Sequence, residues 1–277
     1  MASNQVSAQN RYAVSLSPTP VLNSSDFSSV FGGADQLTIR TDNQGLIREL
    51  EFIAFEGTVF EIIDEVYNLD NKIYLVKTDD YDYGSKLFID SRFVKTVDNK
   101  PITELKKLPS RKEIYEFLDN AVGYKYCWGG NYINGIDKML EYYRPGGLIT
   151  DEARYMWTLK GCDCSGLMFE ATKGYTERNT SKLVYSGDPV EIEGLTAEEI
   201  KSKLKPLDMI VWTGHVIYIY DENTAIQSAL SRGGVVKTDL LATLKNVMKN
   251  RIPVNDYSAV GRSSNIDRFV VRRWYPK

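Results

Sequence analysis

From Arg11 to about Val97, hydrophobic and polar positions alternate in short runs, and beyond them the rhythm turns helical. Residues 12–16, 37–40, 57–63, 72–77 and 86–89 each read as a strand. Turn-rich stretches separate them: Asn23-Ser24-Ser25-Asp26, Asn68-Leu69-Asp70-Asn71 and Tyr81-Asp82-Tyr83-Gly84. The pattern predicts a small closed β-barrel over residues 11–100, preceded by a disordered polar stretch at residues 1–10.

The linker Asp98-Asn99-Lys100-Pro101 ends this region, and a second domain is expected over residues 105–277. Ser110 and Glu113 have capping-box spacing, and Ile114, Phe117, Leu118 and Ala121 form the stripe of the helix they open. The loop Gly123-Tyr124-Lys125-Tyr126-Cys127-Trp128-Gly129-Gly130 ends in two glycines, which suits a tight turn and a close backbone approach. Residues 131–160 read as an insertion, part helix at 137–143 and part loop, of the size that shapes or covers a site. Cys164, Leu167, Met168 and Ala171 then recur at i, i+3, i+4 and i+7, so an amphipathic helix is expected with Asp163 as its N-cap. A charged helix at 197–203 and strands at 209–212, 216–220, 225–229 and 269–274 complete an α+β pattern.

Composition narrows the function classes. The 277 residues are 43% hydrophobic and 26% charged, with a net charge of −3, which gives no basic surplus for nucleic acid. No apolar run reaches the length of a membrane span, and no secretory signal is visible at the start. The cysteines Cys127, Cys162 and Cys164 are odd in number and lack disulfide spacing, which favours a reducing, cytoplasmic compartment; a periplasmic one fits if a signal was removed. With a single histidine, His215, a zinc site would need C-x-C in place of the usual C-x-x-C hook, and no cofactor or metal is expected.

Two places carry chemistry. Cys164 falls in the first turn of its helix, where unpaired amides favour a thiolate. His215 opens a strand whose return strand carries Gln227 across the turn Asp221-Glu222-Asn223. The two side chains share a face as opposed residues only if that loop holds an odd number of residues. If paired, the Gln227 amide oxygen can hold one imidazole nitrogen and leave the other for a thiol.

Taken together, Tyr126-Cys127-Trp128-Gly129-Gly130, Asp163-Cys164-Ser165-Gly166-Leu167, Arg178, Pro206-Leu207-Asp208, Gly214-His215-Val216 and Ile226-Gln227-Ser228-Ala229 resemble, in order, the NlpC-type cysteine peptidases of bacterial cell walls. The preceding all-β region is similar to the SH3-like domains often found before such enzymes. The resemblance implies a papain-like domain with Cys164 as nucleophile, His215 as general base and then acid, Gln227 as the orienting third member, and Tyr126 beside the oxyanion. It implies that Asp163 and Ser165 hold the free amine of a substrate L-alanine, with Trp128 and Arg178 also in the substrate site. The implied substrate is a peptidoglycan stem peptide or muropeptide, cut between γ-D-glutamate and a diamino acid. Three departures stand out: the family usually has histidine at the place of Gln227, proline at that of Lys125, and a shorter connection between Gly130 and Asp163. A degenerate, non-catalytic module that binds wall peptides is the alternative. A permuted lipid acyltransferase would place its histidine before its cysteine, the reverse of the order here.

Overall fold

The computed structural model describes residues 11–33, 35–103, 105–258 and 267–276, so the expected disordered stretch at 1–10 lies outside the described residues. The chain divides into two compact units, residues 1–106 with 127–160, and residues 107–126 with 161–277. In this division residues 127–160 group with residues 1–106.

In the first unit, strands Arg11–Ser15 (β1), Thr19–Leu22 (β2), Leu50–Ala54 (β3), Val59–Asn68 (β4), Asn71–Lys77 (β5), Leu87–Asp90 (β6) and Val94–Val97 (β7) form one antiparallel sheet. Its order is β3-β2-β6-β5-β4-β1-β7, with β3 and β7 as its two edges, so the expected closed barrel is not formed. Alternation in the sequence reported which side chains turn inward but not which strand edges pair. The expected strand at 37–40 is reduced to Thr38–Ile39, which pairs with Phe31–Gly32 outside that sheet. Phe27, Phe52, Phe60, Phe93 and Trp157 fill the core, the last from the inserted segment. Asn131 ties that segment to β3 by a side-chain amide that mimics a strand: Ile53 N–H donates to its Oδ1 at 2.9 Å, and its Nδ2 donates to Ile53 O at 2.8 Å. Gly129 shows why glycine was needed beside it, since a Cβ there, at φ +67°, would lie 2.2 Å from the Leu50 carbonyl oxygen.

The second unit starts with the helix Arg111–Ala121 (α1), closed by the Ser110–Glu113 capping box. Cys164–Ala171 (α2) follows, then Ala197–Lys203 (α3) and Leu240–Met248 (α4). The strands are Asp188–Val190 (β8), Met209–Trp212 (β9), His215–Ile219 (β10), Thr224–Ala229 (β11), Gly234–Asp239 (β12), Arg251–Pro253 (β13) and Asp267–Arg273 (β14). They line up as β8-β14-β9-β10-β11-β12 in antiparallel pairs, with β13 added parallel to β14. Helix α2 packs on β10 and β11, and α1 packs on α2. Ile217, Ile219 and Ala225 join the apolar cluster that Leu240, Leu244 and Val247 of α4 complete. The helix bearing Cys164 thus lies against an antiparallel sheet, and it is apolar nearly all round, with only Glu170 outside the buried class. That corrects the amphipathic expectation. A helix covered on more than one side needs no polar face.

Candidate active site

The chain entering α2 is clamped before the helix begins. Cys162 bridges Tyr126 in parallel, and the Ser228 hydroxyl donates to the Cys162 carbonyl at 2.6 Å. Tyr126 is held in turn through its amide, which donates to Gly233 O at 3.1 Å. Beside it the Lys125–Gly234 bridge tolerates only glycine at residue 234, whose Cβ would stand 2.0 Å from Tyr124 O. Two residues beyond Cys162, Cys164 therefore has a fixed position.

Asp163 caps α2 by accepting the Gly166 amide at 2.7 Å. Its carboxylate also receives both ends of the Arg178 guanidinium, Nη1 to Oδ1 at 3.0 Å and Nη2 to Oδ2 at 2.7 Å. Ser165 closes the ring, its hydroxyl accepting from Arg178 Nη1 at 2.7 Å and donating to Asp163 Oδ1 at 3.1 Å. All three residues are buried, so removing either charge would strand the other in a medium that solvates it poorly.

Cys164 is 7% exposed. Burial, seconded by the negative charge of Asp163, pushes its thiol up to about 12, while the Val216 amide, Arg178 and the Ser165 amide pull the other way. The helix-start amide has the sign the sequence suggested, but desolvation outweighs it. The Val216 contact also fixes location, since the sulfur stands at the backbone of the residue that follows His215.

His215 is the first residue of β10, set by the two-residue turn Thr213-Gly214 and opposed in register by Trp212. Thr180 Oγ1 accepts the Gly214 amide at 2.9 Å, and the Tyr257 hydroxyl accepts the Thr213 amide at 2.9 Å, so the turn is held on both sides. His215 Nε2 lies 2.8 Å from Gln227 Oε1. An amide oxygen only accepts, so Nε2 carries the proton and Nδ1 keeps its lone pair. Burial lowers the imidazole below its ordinary value and the Arg251 charge adds to that, against the Gln227 hydrogen bond and the Asp163 charge.

The return loop is Asp221-Glu222-Asn223, an odd number of residues, closed by Tyr220 N–H donating to Thr224 O at 2.9 Å. Register pairs Tyr218 with Ile226, which sets Gln227 opposite Ile217 and makes His215 its diagonal neighbour on the same face. The two share a face without being directly opposed.

Seven of the residues singled out from sequence, Tyr126, Asp163, Cys164, Ser165, Arg178, His215 and Gln227, fall in the second unit. Trp128 falls in the first, its ring under the Arg48 guanidinium at 4.1 Å. Sequence reasoning missed Tyr218, a buried phenol whose oxygen has no partner among the described residues and whose ionisation is pushed well above its ordinary value by burial and then by Cys164. Its even-numbered spacing from Val216 was the available signal, because β10 turns both toward the α2 side of the sheet. Among the described residues no three His, Cys, Asp or Glu side chains gather as a metal site, and no helix is long and apolar enough to cross a membrane.

No protein-family model matches the chain, and no curated protein matches it. Solved structures similar to it include an NlpC/P60 family protein from Bacillus cereus, at 14% identity and a TM-score of 0.36, over 97% of this chain and 64% of that one. NlpC1 from Trichomonas vaginalis is similar at 13% identity and a TM-score of 0.33, covering 96% of this chain and 69% of that one. The P60 domain of an antigen from M. avium subspecies paratuberculosis is similar at 17% identity and a TM-score of 0.33, over 58% of this chain and 92% of that domain. The chain thus spans less than two thirds of the Bacillus cereus protein.

Proposed function

We propose that this chain is a papain-like cysteine peptidase of the NlpC type, cutting peptidoglycan stem peptides between γ-D-glutamate and a diamino acid. One observation carries the reading: the thiol of Cys164 sits at the Val216 amide while the adjacent His215 holds Nε2 on Gln227 and keeps Nδ1 free to take a proton. The ordered motifs, from Tyr126 to Gln227, supply the substrate class.

In this mechanism the Cys164 proton passes to His215 Nδ1 as the sulfur attacks the scissile carbonyl carbon. The Cys164 backbone amide and Tyr126 face the developing oxyanion. The imidazolium gives its proton to the leaving amine, and water then attacks the thioester, losing a proton to the same nitrogen and restoring the thiol. Gln227 keeps the ring in place through both halves; being neutral, it orients imidazolium without neutralising it. Asp163 and Ser165 are the proposed amine-binding pair, and an ammonium there shares its carboxylate with Arg178. The free thiols Cys127, Cys162 and Cys164 favour action in a reducing compartment on released muropeptides.

The burial of Cys164 favours a second reading, a module that binds stem peptides without cutting them. Incubation with L-alanyl-γ-D-glutamyl-diaminopimelate, with the amine free or acetylated and products read by mass, separates the two. The peptidase releases L-alanyl-D-glutamate from the free-amine peptide, and Cys164→Ala and His215→Ala do not. Binding without release in the native protein overturns the peptidase.

A further inference from the structure

His215 stands on β10, between β9 and β11, and each of those strands brings one side chain to its ring. From β11 comes the Gln227 amide oxygen, 2.8 Å from Nε2. From β9 comes Trp212, directly opposed to His215 across the turn Thr213-Gly214, so the two side chains share a face. Their ring centroids lie 5.3 Å apart with the planes inclined at 53°. The two contacts hold the imidazole differently. One hydrogen bond fixes a nitrogen but not the plane of the ring, because an amide oxygen accepts over a broad range of directions. The plane is fixed by what packs against it.

Trp212 is itself held. It is half-buried and packs on the apolar cluster that includes Ile210, Ile217 and Leu244. The Arg251 guanidinium lies over the face of its indole, 4.3 Å from the centroid. Arg251 opens β13, where its backbone is in register with Asp267, and its Nη2 stands 3.5 Å from the Asp267 carboxylate. A weakly hydrated, planar cation is drawn to the electron-rich face of an indole and stacks there. Arg251 thus rests on Trp212, Trp212 rests against His215, and Gln227 meets the imidazole from the other neighbouring strand.

We propose that Trp212, clamped by Arg251, is a positioning residue that sets the plane of the His215 ring and, through it, the direction of Nδ1. Its part in turnover rests on the peptidase reading, whereas its hold on the ring does not. The charges around the ring agree with this arrangement. Arg251 disfavours imidazolium, in the same direction as burial, against the Gln227 oxygen and Asp163 at the start of α2. Asp163 is engaged by Arg178, the Cys164 thiol is held protonated by its burial, and the Tyr257 hydroxyl accepts the Thr213 amide. Arg232 and Asp239 line the same groove as the ring, and Asp239 caps α4 by accepting the Ala242 amide at 2.7 Å.

His215 is the only histidine in the chain, so an NMR titration of the full-length protein reads its ring without ambiguity. In Trp212→Ala the midpoint should rise, because water reaches the ring; in Trp212→Phe it should stay near the native value, because an aromatic face remains. Arg251→Met should raise it by removing the cation and Arg251→Lys should not, and this pair serves if Trp212→Ala fails to fold. On the free-amine stem peptide, Trp212→Ala should lower kcat by about tenfold to a hundredfold with KM little changed, and Trp212→Phe should restore most of the loss. A tryptophan that only filled space would change stability and leave the midpoint and kcat where they were. An unchanged midpoint in folded Trp212→Ala, or in Arg251→Met where that variant does not fold, overturns the hold on the ring. A native kcat in folded Trp212→Ala overturns the part in turnover. Midpoints that move as expected while the native protein hydrolyses nothing would sink only the peptidase, and hydrolysis with native midpoints in every variant would sink this inference alone.

Discussion

His215 Nε2 and Gln227 Oε1 stand 2.8 Å apart as diagonal neighbours on adjacent strands, a neutral amide in the place from which a carboxylate could have charged the imidazole. Burial then leaves the ring with a lowered proton affinity. The native ring should therefore titrate below the ordinary histidine value. Gln227→Glu should raise that midpoint by about one unit or more, because an anion beside the ring favours imidazolium. Linkage sets the sign for stability: the folded value is depressed, so the neutral ring's contribution is present above the unfolded value and is lost as pH falls below about 6.5. An NMR titration of the single histidine measures the shift directly. If the peptidase reading holds, Gln227→Ala should slow turnover by much less than His215→Ala, because the one loses alignment and the other the proton carrier.

Cys164 makes an opposite demand on pH. Its thiol is pushed up to about 12 by burial, so it is protonated in the resting protein. Iodoacetamide at neutral pH should modify partly exposed Cys127 before Cys164, reversing the order expected of a preformed thiolate. Modification of Cys164 should rise about tenfold per pH unit from pH 8 upward, following the thiolate fraction. The folded value is raised, so the neutral thiol contributes stability that is whole below the unfolded value near 8.5 and is lost as pH rises toward 12. Peptide mapping of the alkylated protein across pH checks the order of labelling. Early labelling of Cys164 at pH 7 would show that the thiol ionises despite its burial.

The Asp163–Arg178 pair joins helix capping to ion pairing in one buried carboxylate. Arg178→Ala should destabilise the second unit by about 3–5 kcal/mol, because it leaves the Asp163 charge buried without its partner. Asp163→Asn keeps an oxygen for the Gly166 amide but leaves Arg178 uncompensated, and should cost a similar amount. The double variant Asp163→Asn with Arg178→Ala should lose less than the sum of the two, because neither charge is then stranded. Urea unfolding of the four proteins gives the coupling. Additive losses would mean that the pair does not act as a unit.

Much of this site was legible because its signals are local. The Ser110–Glu113 box, the Asp163 cap and the alternation along His215-Val216-Ile217-Tyr218-Ile219 each depend on residues within a turn or strand, and each formed. The His215–Gln227 contact was legible as a condition on loop length, though not as a diagonal offset, which is set by register between strands. Long-range pairing left no comparable trace. Leu50–Ala54 was missed because burial along it is nearly continuous, and β12 with α4 because nothing short of the fold shows that Gly234 must pass close to Tyr124. The resemblance makes Asp163, Ser165 and Arg178 three substrate contacts, whereas the fold bonds them to one another in a buried ring that no local pattern encodes.

The affiliation of residues 127–160 rests on a contact of the same long-range kind, the Asn131 amide against Ile53. Asn131 is fully buried, and its two side-chain bonds satisfy both the N–H and the C=O of a core residue. Asn131→Ala removes both partners at once and leaves two backbone groups unpaired in a dry interior, at roughly 1–3 kcal/mol each. Asn131→Asp retains an acceptor for the Ile53 N–H but turns a carboxylate oxygen toward the Ile53 carbonyl, so it should be at least as damaging at neutral pH. Because the segment also contributes Met139 and Trp157 to the core around β3, its loosening should be felt across the first unit and not as local fraying. Hydrogen exchange is the decisive measurement. In Asn131→Ala the amide of Ile53 and those of the helix Asp151–Trp157 should lose protection together, while the amides of α2 keep theirs; protection lost only at Ile53 would mean that the inserted segment is held by its apolar contacts alone.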